Sequence, residues 1–165
     1  MTLLDAPVYD AARARRRQTM LWTALGVLLA MLIGSWLASG MPVDWPWNWW
    51  THFRGRMTVN QFLSAVESND LQKAYGIWIH NPNWQQQANT GSYPFSRFQQ
   101  DWSSNSPDNE YGIIRSHKIL AARRSGNVLI LGVRINGLKS NTLFLAYDPH
   151  DHTLSFSPVE LYLGP

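Results

Sequence analysis

The sequence predicts an α+β domain carried on a membrane anchor: a transmembrane helix, then three helices packed on a four-stranded antiparallel sheet. Three observations predict it. Met20–Ala38 runs nineteen residues without a charge, enough helix to span about 28 Å, close to the hydrocarbon thickness of a bilayer. Apolar residues between 59 and 102 recur at helical spacing, and after residue 110 the period shortens to two, the spacing of strands. Helices in one block followed by strands in another is the α+β order.

The anchor comes first. Arg13, Arg15, Arg16 and Arg17 precede the apolar run, and only Arg54 and Arg56 follow within the next nineteen positions. Basic flanks stay cytoplasmic, so residues 1–18 are expected inside the cell, 19–39 across the membrane and the C-terminal domain outside, in a bacterium the periplasm. Trp22 and Trp36 sit near the two ends of the run, and Trp45, Trp47, Trp49 and Trp50 follow it. Indole rings favour the headgroup zone, so these six and Arg15–Arg17 are read as the membrane interface, and residues 40–57 as an interfacial linker rich in Trp and Pro. The alternative for the Trp cluster is a packed seam of the domain. The alternative for the apolar run is a cleaved signal peptide with Ala38-Ser39-Gly40 as its cleavage site, although signal cores run only about 7–15 residues. Gly26, Ala30, Gly34 and Ala38 recur every fourth residue. Such a stripe lets a second helix approach closely, so it is read as a helix-packing face, for a second copy or another subunit.

The domain proper is expected over 58–165. The net charge of +3 is misleading for it. Residues 1–57 hold six Arg against three Asp, whereas 58–165 balance eight cations with eight acids. A neutral domain has no phosphate-binding face, so nucleic acid is not an expected partner. There is no cysteine, which excludes disulfides, thiolate metal sites and thiol nucleophiles.

The helices are expected in order. Thr58-Val59-Asn60-Gln61 reads as a capping box, with Val59, Phe62, Leu63 and Val66 on one helical face behind it. Ser68-Asn69-Asp70 breaks that helix and caps the next, whose apolar face is Leu71, Ala74, Tyr75 and Trp78. Asn81-Pro82-Asn83 ends it, and 83–92 is a polar loop. A third helix starts near Pro94, with Phe95, Phe98 and Trp102 inward. Strands are expected over Tyr111–Ala122, over 129–135 with Leu129, Leu131, Val133 and Ile135 buried, over Thr142–Tyr147 and over Leu154–Leu163. Asn136-Gly137 reads as a tight turn or the start of a longer loop through Asn141. Short links between consecutive strands make an antiparallel meander.

The stretch Phe62-Leu63-Ser64-Ala65-Val66-Glu67-Ser68-Asn69-Asp70-Leu71-Gln72-Lys73-Ala74-Tyr75 resembles the opening helix pair of the nuclear transport factor 2-like superfamily, and Phe95–Trp102 resembles its third helix. The resemblance covers about 58–163 and rests on apolar spacing. It implies a cone, with a curved sheet wrapped around the helices and often a pocket at the open end. Members include enzymes, ligand binders and interaction domains, so fold alone does not give function.

Enzymes of that superfamily use an acid or an acid–histidine pair inside the cone. The residues of that type here are Asp101 with His117, or Tyr75 with Tyr111, and nothing in the spacing brings either pair together. Asp101 reads as a solvated helix residue, His117 as a strand residue facing water, and His80 as a helix-end cation. Asp148, His150 and His152 would share one side of a strand, but Asp-Pro within 148–152 is ordinary turn chemistry, so no metal site is assigned. No phosphate loop, dinucleotide fingerprint, nucleophile elbow or zincin motif occurs. No catalytic residue or cofactor is therefore assigned. Tyr75, Trp78, Phe98, Trp102 and Tyr111 are the set from which an apolar pocket would be built; helical spacing equally makes them core. The expected function is protein interaction by a single-pass membrane subunit. Its topology is similar to that of the assembly-platform subunit of type IV secretion systems. The expected partners are the lipid bilayer and other membrane or periplasmic subunits. The alternatives are a tethered binder of a small apolar ligand and an enzyme with an acid–base pair in the cone.

Overall fold

The computed structural model describes residues 10–86, 93–138 and 142–161. The chain forms two compact units, divided between Ala38 and Ser39.

The first unit is helix α1, Ala11–Ala38, 28 residues with none buried. It starts eight residues before the expected boundary at 19, and the reason is a cap. Asp10 Oδ1 accepts from the backbone N–H groups of Ala12 and Arg13, both at 3.0 Å, so the arginines lie within the helix. The hydroxyls of Thr19 and Thr23 donate back to the carbonyls of Arg15 and Thr19, leaving neither free to demand water. By length and composition α1 is a candidate membrane span. At about 42 Å it exceeds a hydrocarbon core by roughly two turns. Gly26, Ala30, Gly34 and Ala38 are exposed on it, and nothing lies within 4 Å of a Cβ built at Gly26 or Gly34.

The second unit is α+β. A 3-10 turn (Pro46–Asn48) leads into α2 (Trp49–Glu67), α3 (Leu71–Trp78), a further 3-10 turn (Trp84–Gln86) and α4 (Phe95–Trp102). Strands β1 (His117–Ser125), β2 (Val128–Ile135), β3 (Thr142–Tyr147) and β4 (Leu154–Phe156) follow. They pair in sequence order, every pair antiparallel. Together with α1 the described residues hold four α-helices.

Helix α2 begins nine residues before Thr58, so the capping-box reading fails. His52, Gly55, Val59, Phe62 and Val66 are all buried, a continuous face at steps of three and four. Gly55 hid this face because it adds no apolar side chain. It is needed there: a Cβ would lie 2.6 Å from Leu129 Cδ2 and 3.1 Å from Tyr147 Cδ1, so bare backbone lets the helix settle on β2 and β3. Residues 49–57 are therefore part of the domain's helix, not linker.

Helix α3 follows expectation. Asp70 Oδ1 accepts from Lys73 N–H at 3.0 Å, and the chain leaves the helix through His80 at φ +53° ahead of Pro82. Strand β1 starts six residues later than Tyr111, because Asn136 ties the preceding chain down. Its Oδ1 accepts from the backbone of Arg115 and Ser116, and its Nδ2 donates to Ile113 O. The expected fourth strand stops at Phe156, since Pro158 has no N–H for the ladder; its expected end at 162–163 lies outside the described residues, as do 87–92 and 139–141 of the expected loops. Strand β2 is central: Leu129, Leu131, Val133 and Ile135 join Val59, Phe62 and Leu63 in one core.

Candidate functional site

Helices α2 and α3, joined by three residues, pack together and line a groove of about 630 Å³. Residues Arg54, Met57, Thr58 and Gln61 of α2 line one wall, at steps of three, one and three along the helix. From α3 come Gln72, Lys73, Gly76 and Ile77, and His80 follows them. The 3-10 turn closes the side. Trp84 Nε1 donates to Gln72 O at 3.2 Å, and Gln85 Nε2 donates to Gln72 Oε1 at 3.1 Å. Gly76 permits this closure, because a Cβ would stand 3.1 Å from Asn81 O. The lining mixes apolar side chains (Met57, Ile77, Trp84) with polar ones. The titratable residues of the lining are Arg54, Lys73, His80 and one carboxylate, Asp70, which is engaged as the α3 cap.

At the His80 end a second layer stands behind the groove. The His80 ring lies 5.1 Å from that of His152, whose Nδ1 shares a 2.7 Å hydrogen bond with Tyr147 OH. Burial pushes the Tyr147 phenol above its usual range, so it is a neutral partner for His152.

The aromatic set named from sequence is brought together as packing. Tyr75, Trp78, Phe98 and Trp102 are buried. Phe62 joins them, with ring centroids 5.2 Å from Trp78, 6.2 Å from Phe98 and 4.9 Å from Trp102. The Tyr75 hydroxyl donates to Tyr93 O at 2.7 Å. Trp102 and Tyr111 of the set line a cleft of about 260 Å³ at α4. So the set is the domain's core with one edge at a small cleft.

The titratable residues named from sequence stand in separate networks. Asp101 is not solvated: its side chain is 17% exposed, accepts from Tyr93 OH at 2.7 Å and pairs with Arg97 at 3.2 Å. Burial, and then the Asp101 carboxylate, push the Tyr93 phenol far up. His117 does not face water either. Its Nδ1 lies 2.7 Å from Glu67 Oε1 and its Nε2 3.0 Å from Asn60 Oδ1, pinning β1 to the end of α2. Asp148 closes a turn by accepting from His150 N–H at 2.8 Å. His150 pairs with Asp151 while His152 turns to Tyr147, so the three do not converge.

Residues 40–48, part of the 40–57 segment read from sequence as linker, are strapped to α2. His52, only 3% exposed, holds Asp44 Oδ2 at 2.6 Å. Trp49 Nε1 donates to Asp44 O at 2.9 Å, and Arg124 Nη1 donates to Asn48 Oδ1 at 2.8 Å. The Arg56 guanidinium covers Gly40, where φ is +81° and a Cβ would fall 2.6 Å from Cζ. Trp45, Trp47 and Trp50 remain exposed, and Trp45 stacks on Trp47 with centroids 5.2 Å apart; Trp22 and Trp36 of α1 are exposed as well.

The groove was not singled out from sequence. Its signal is a second stripe on α2, polar rather than apolar, at 54, 58 and 61. Comparison of the chain with protein-family models, with curated proteins and with solved structures finds no match.

Proposed function

We propose that this is a single-pass inner-membrane protein of a bacterium, with its N-terminus in the cytoplasm and its α+β domain in the periplasm, where the domain binds another protein as an accessory or assembly subunit. The nuclear transport factor 2-like reading goes with it, supported by the order of a helix hairpin, a third helix and an antiparallel meander. The observation that carries the binding role is the α2–α3 groove. Its lining includes Met57, Ile77 and Trp84, and its Gln61 and Lys73 carry side chains with no hydrogen-bond partner among the described residues, so a segment laid in the groove finds both apolar surface and unspent donors. Acid–base chemistry is poorly served there. Asp70 and His80 stand at opposite ends of α3, about 15 Å apart along the helix, too far to share a proton.

A photo-crosslinking residue at Gln61 or Lys73 of the full-length protein tests this in intact membranes. Discrete adducts with another protein, absent when the crosslinker replaces Lys118, are expected. Identical patterns from a groove position and from position 118 would remove the groove from the reading. The volume also suits a small molecule. Native mass spectrometry that retains a small-molecule adduct, lost in Ile77→Arg, would favour a tethered ligand binder instead.

A further inference from the structure

We propose that the domain docks on the bilayer through the face presented by the strap and the first turns of α2, so that it is seated on the lipid and not held on a free tether. The inference rests on α1 spanning the membrane. Chain length then limits the alternatives: Met41 lies three residues past the end of α1, within about 10 Å of it even fully extended. From that point the exposed residues are ones that favour a lipid interface. Met41, Val43, Trp45, Trp47 and Trp50 are 57%, 104%, 69%, 73% and 64% exposed. No acidic residue occurs between 45 and 66, and the one acid in the strap, Asp44, is held by His52. Arg54 stands 5.7 Å over the Trp50 ring, a cation at the edge of an indole face, suited to anionic headgroups.

Rigidity separates this from a string of tryptophans near a membrane. Three hydrogen bonds and one close approach join residues 40–48 to α2 and β1: His52 to Asp44, Trp49 to Asp44, Arg124 to Asn48, and Arg56 over Gly40. Gly55 in turn sets α2 against β2 and β3. A ring that enters the headgroup layer therefore carries the sheet with it. The occupant of this face is lipid, because the chain itself delivers the face to the bilayer and its exposed side chains are indoles, Met41, Val43 and one cation, Arg54.

The cysteine-free chain makes the test direct. Full-length protein with one spin-labelled cysteine, at Leu28, Trp47, Trp50 or Lys118, is reconstituted into vesicles of mixed phosphatidylcholine and phosphatidylglycerol. Accessibility to oxygen and to a water-soluble nickel chelate is then measured. The expected result is a label at 28 within the hydrocarbon, labels at 47 and 50 with chelate access largely lost, and a label at 118, at the opposite end of α2, in water. Labels at 47 and 50 as open to the chelate as 118, with 28 still in lipid, would overturn docking and leave the span intact. A label at 28 in water would overturn both. Labels at 47 and 50 shielded from oxygen and chelate alike would place protein on this face and overturn the lipid assignment.

Discussion

Tyr93 shows how one side chain can serve the core and a carboxylate together. Its ring packs on Trp78, Phe98 and Phe156, while its hydroxyl donates to Asp101. Tyr93→Phe keeps the ring and removes the donor to a carboxylate that is mostly buried, so a loss of about 1–3 kcal/mol in a denaturant melt is expected. The same group sets the alkaline limit. Tyr93, Tyr111 and Tyr147 all have phenols raised from 10.0 by burial. A raised phenol favours the native state fully below the unfolded value, and that contribution is lost as pH climbs from there toward the native one. The melting temperature should therefore fall above about pH 10, and the Tyr93→Phe variant should fall less steeply. A flat profile to pH 12, or equal slopes, would count against the buried phenols as the cause.

At the scale of elements, the most informative contact is α2 against the sheet. Gly55→Ala ought to stabilise an isolated helix by about 1 kcal/mol. Here the added Cβ meets Leu129 Cδ2 at 2.6 Å, so overpacking of about 1–3 kcal/mol opposes that gain. A net destabilisation is expected from a urea melt, and a more stable variant would mean the helix sits further from β2 than described. The strap makes a parallel prediction. Asp44→Ala leaves His52 buried without its partner, which should cost about 1–3 kcal/mol and expose the strap. Limited proteolysis between 40 and 48 should quicken in this variant, while cleavage in the β1–β2 turn should not.

The two compact units carry the prediction for the whole molecule. The second begins at Ser39, so residues 39–165 should unfold cooperatively once freed from α1. A chain starting at residue 56 loses the strap, His52 and Gly55, and should melt markedly lower or fail to fold. Equal melting of the two would show that the first turns of α2 contribute nothing to the core. Orientation is tested separately. A reporter active only outside the cytoplasm should work after Pro165 and not after Gln18, and the reverse pattern would invert the topology.

Legibility in the sequence followed from how local each cause is. The long apolar helix near the N-terminus, the Asp70 cap, the meander order and the inward set of β2 depend on periodicity and on residues within a few positions, and the sequence alone determined them. The start of α2 did not show, because its buried face is continued by a glycine and a histidine whose value lies in contacts with Leu129, Tyr147 and Asp44. The strand that ended early and the one that began late were decided by Pro158 and by Asn136, the latter bonded to chain more than twenty residues away. The aromatic residues were visible as apolar positions, but whether they enclose space depends on whether rings from three helices interlock. The groove arises only when α2 and α3 lie side by side, with Trp84 bonded across to Gln72. Composition and local period thus determined the long apolar helix and the class of the domain. Tertiary packing decided which polar side chains share a surface, because that depends on contacts between elements that local sequence does not encode.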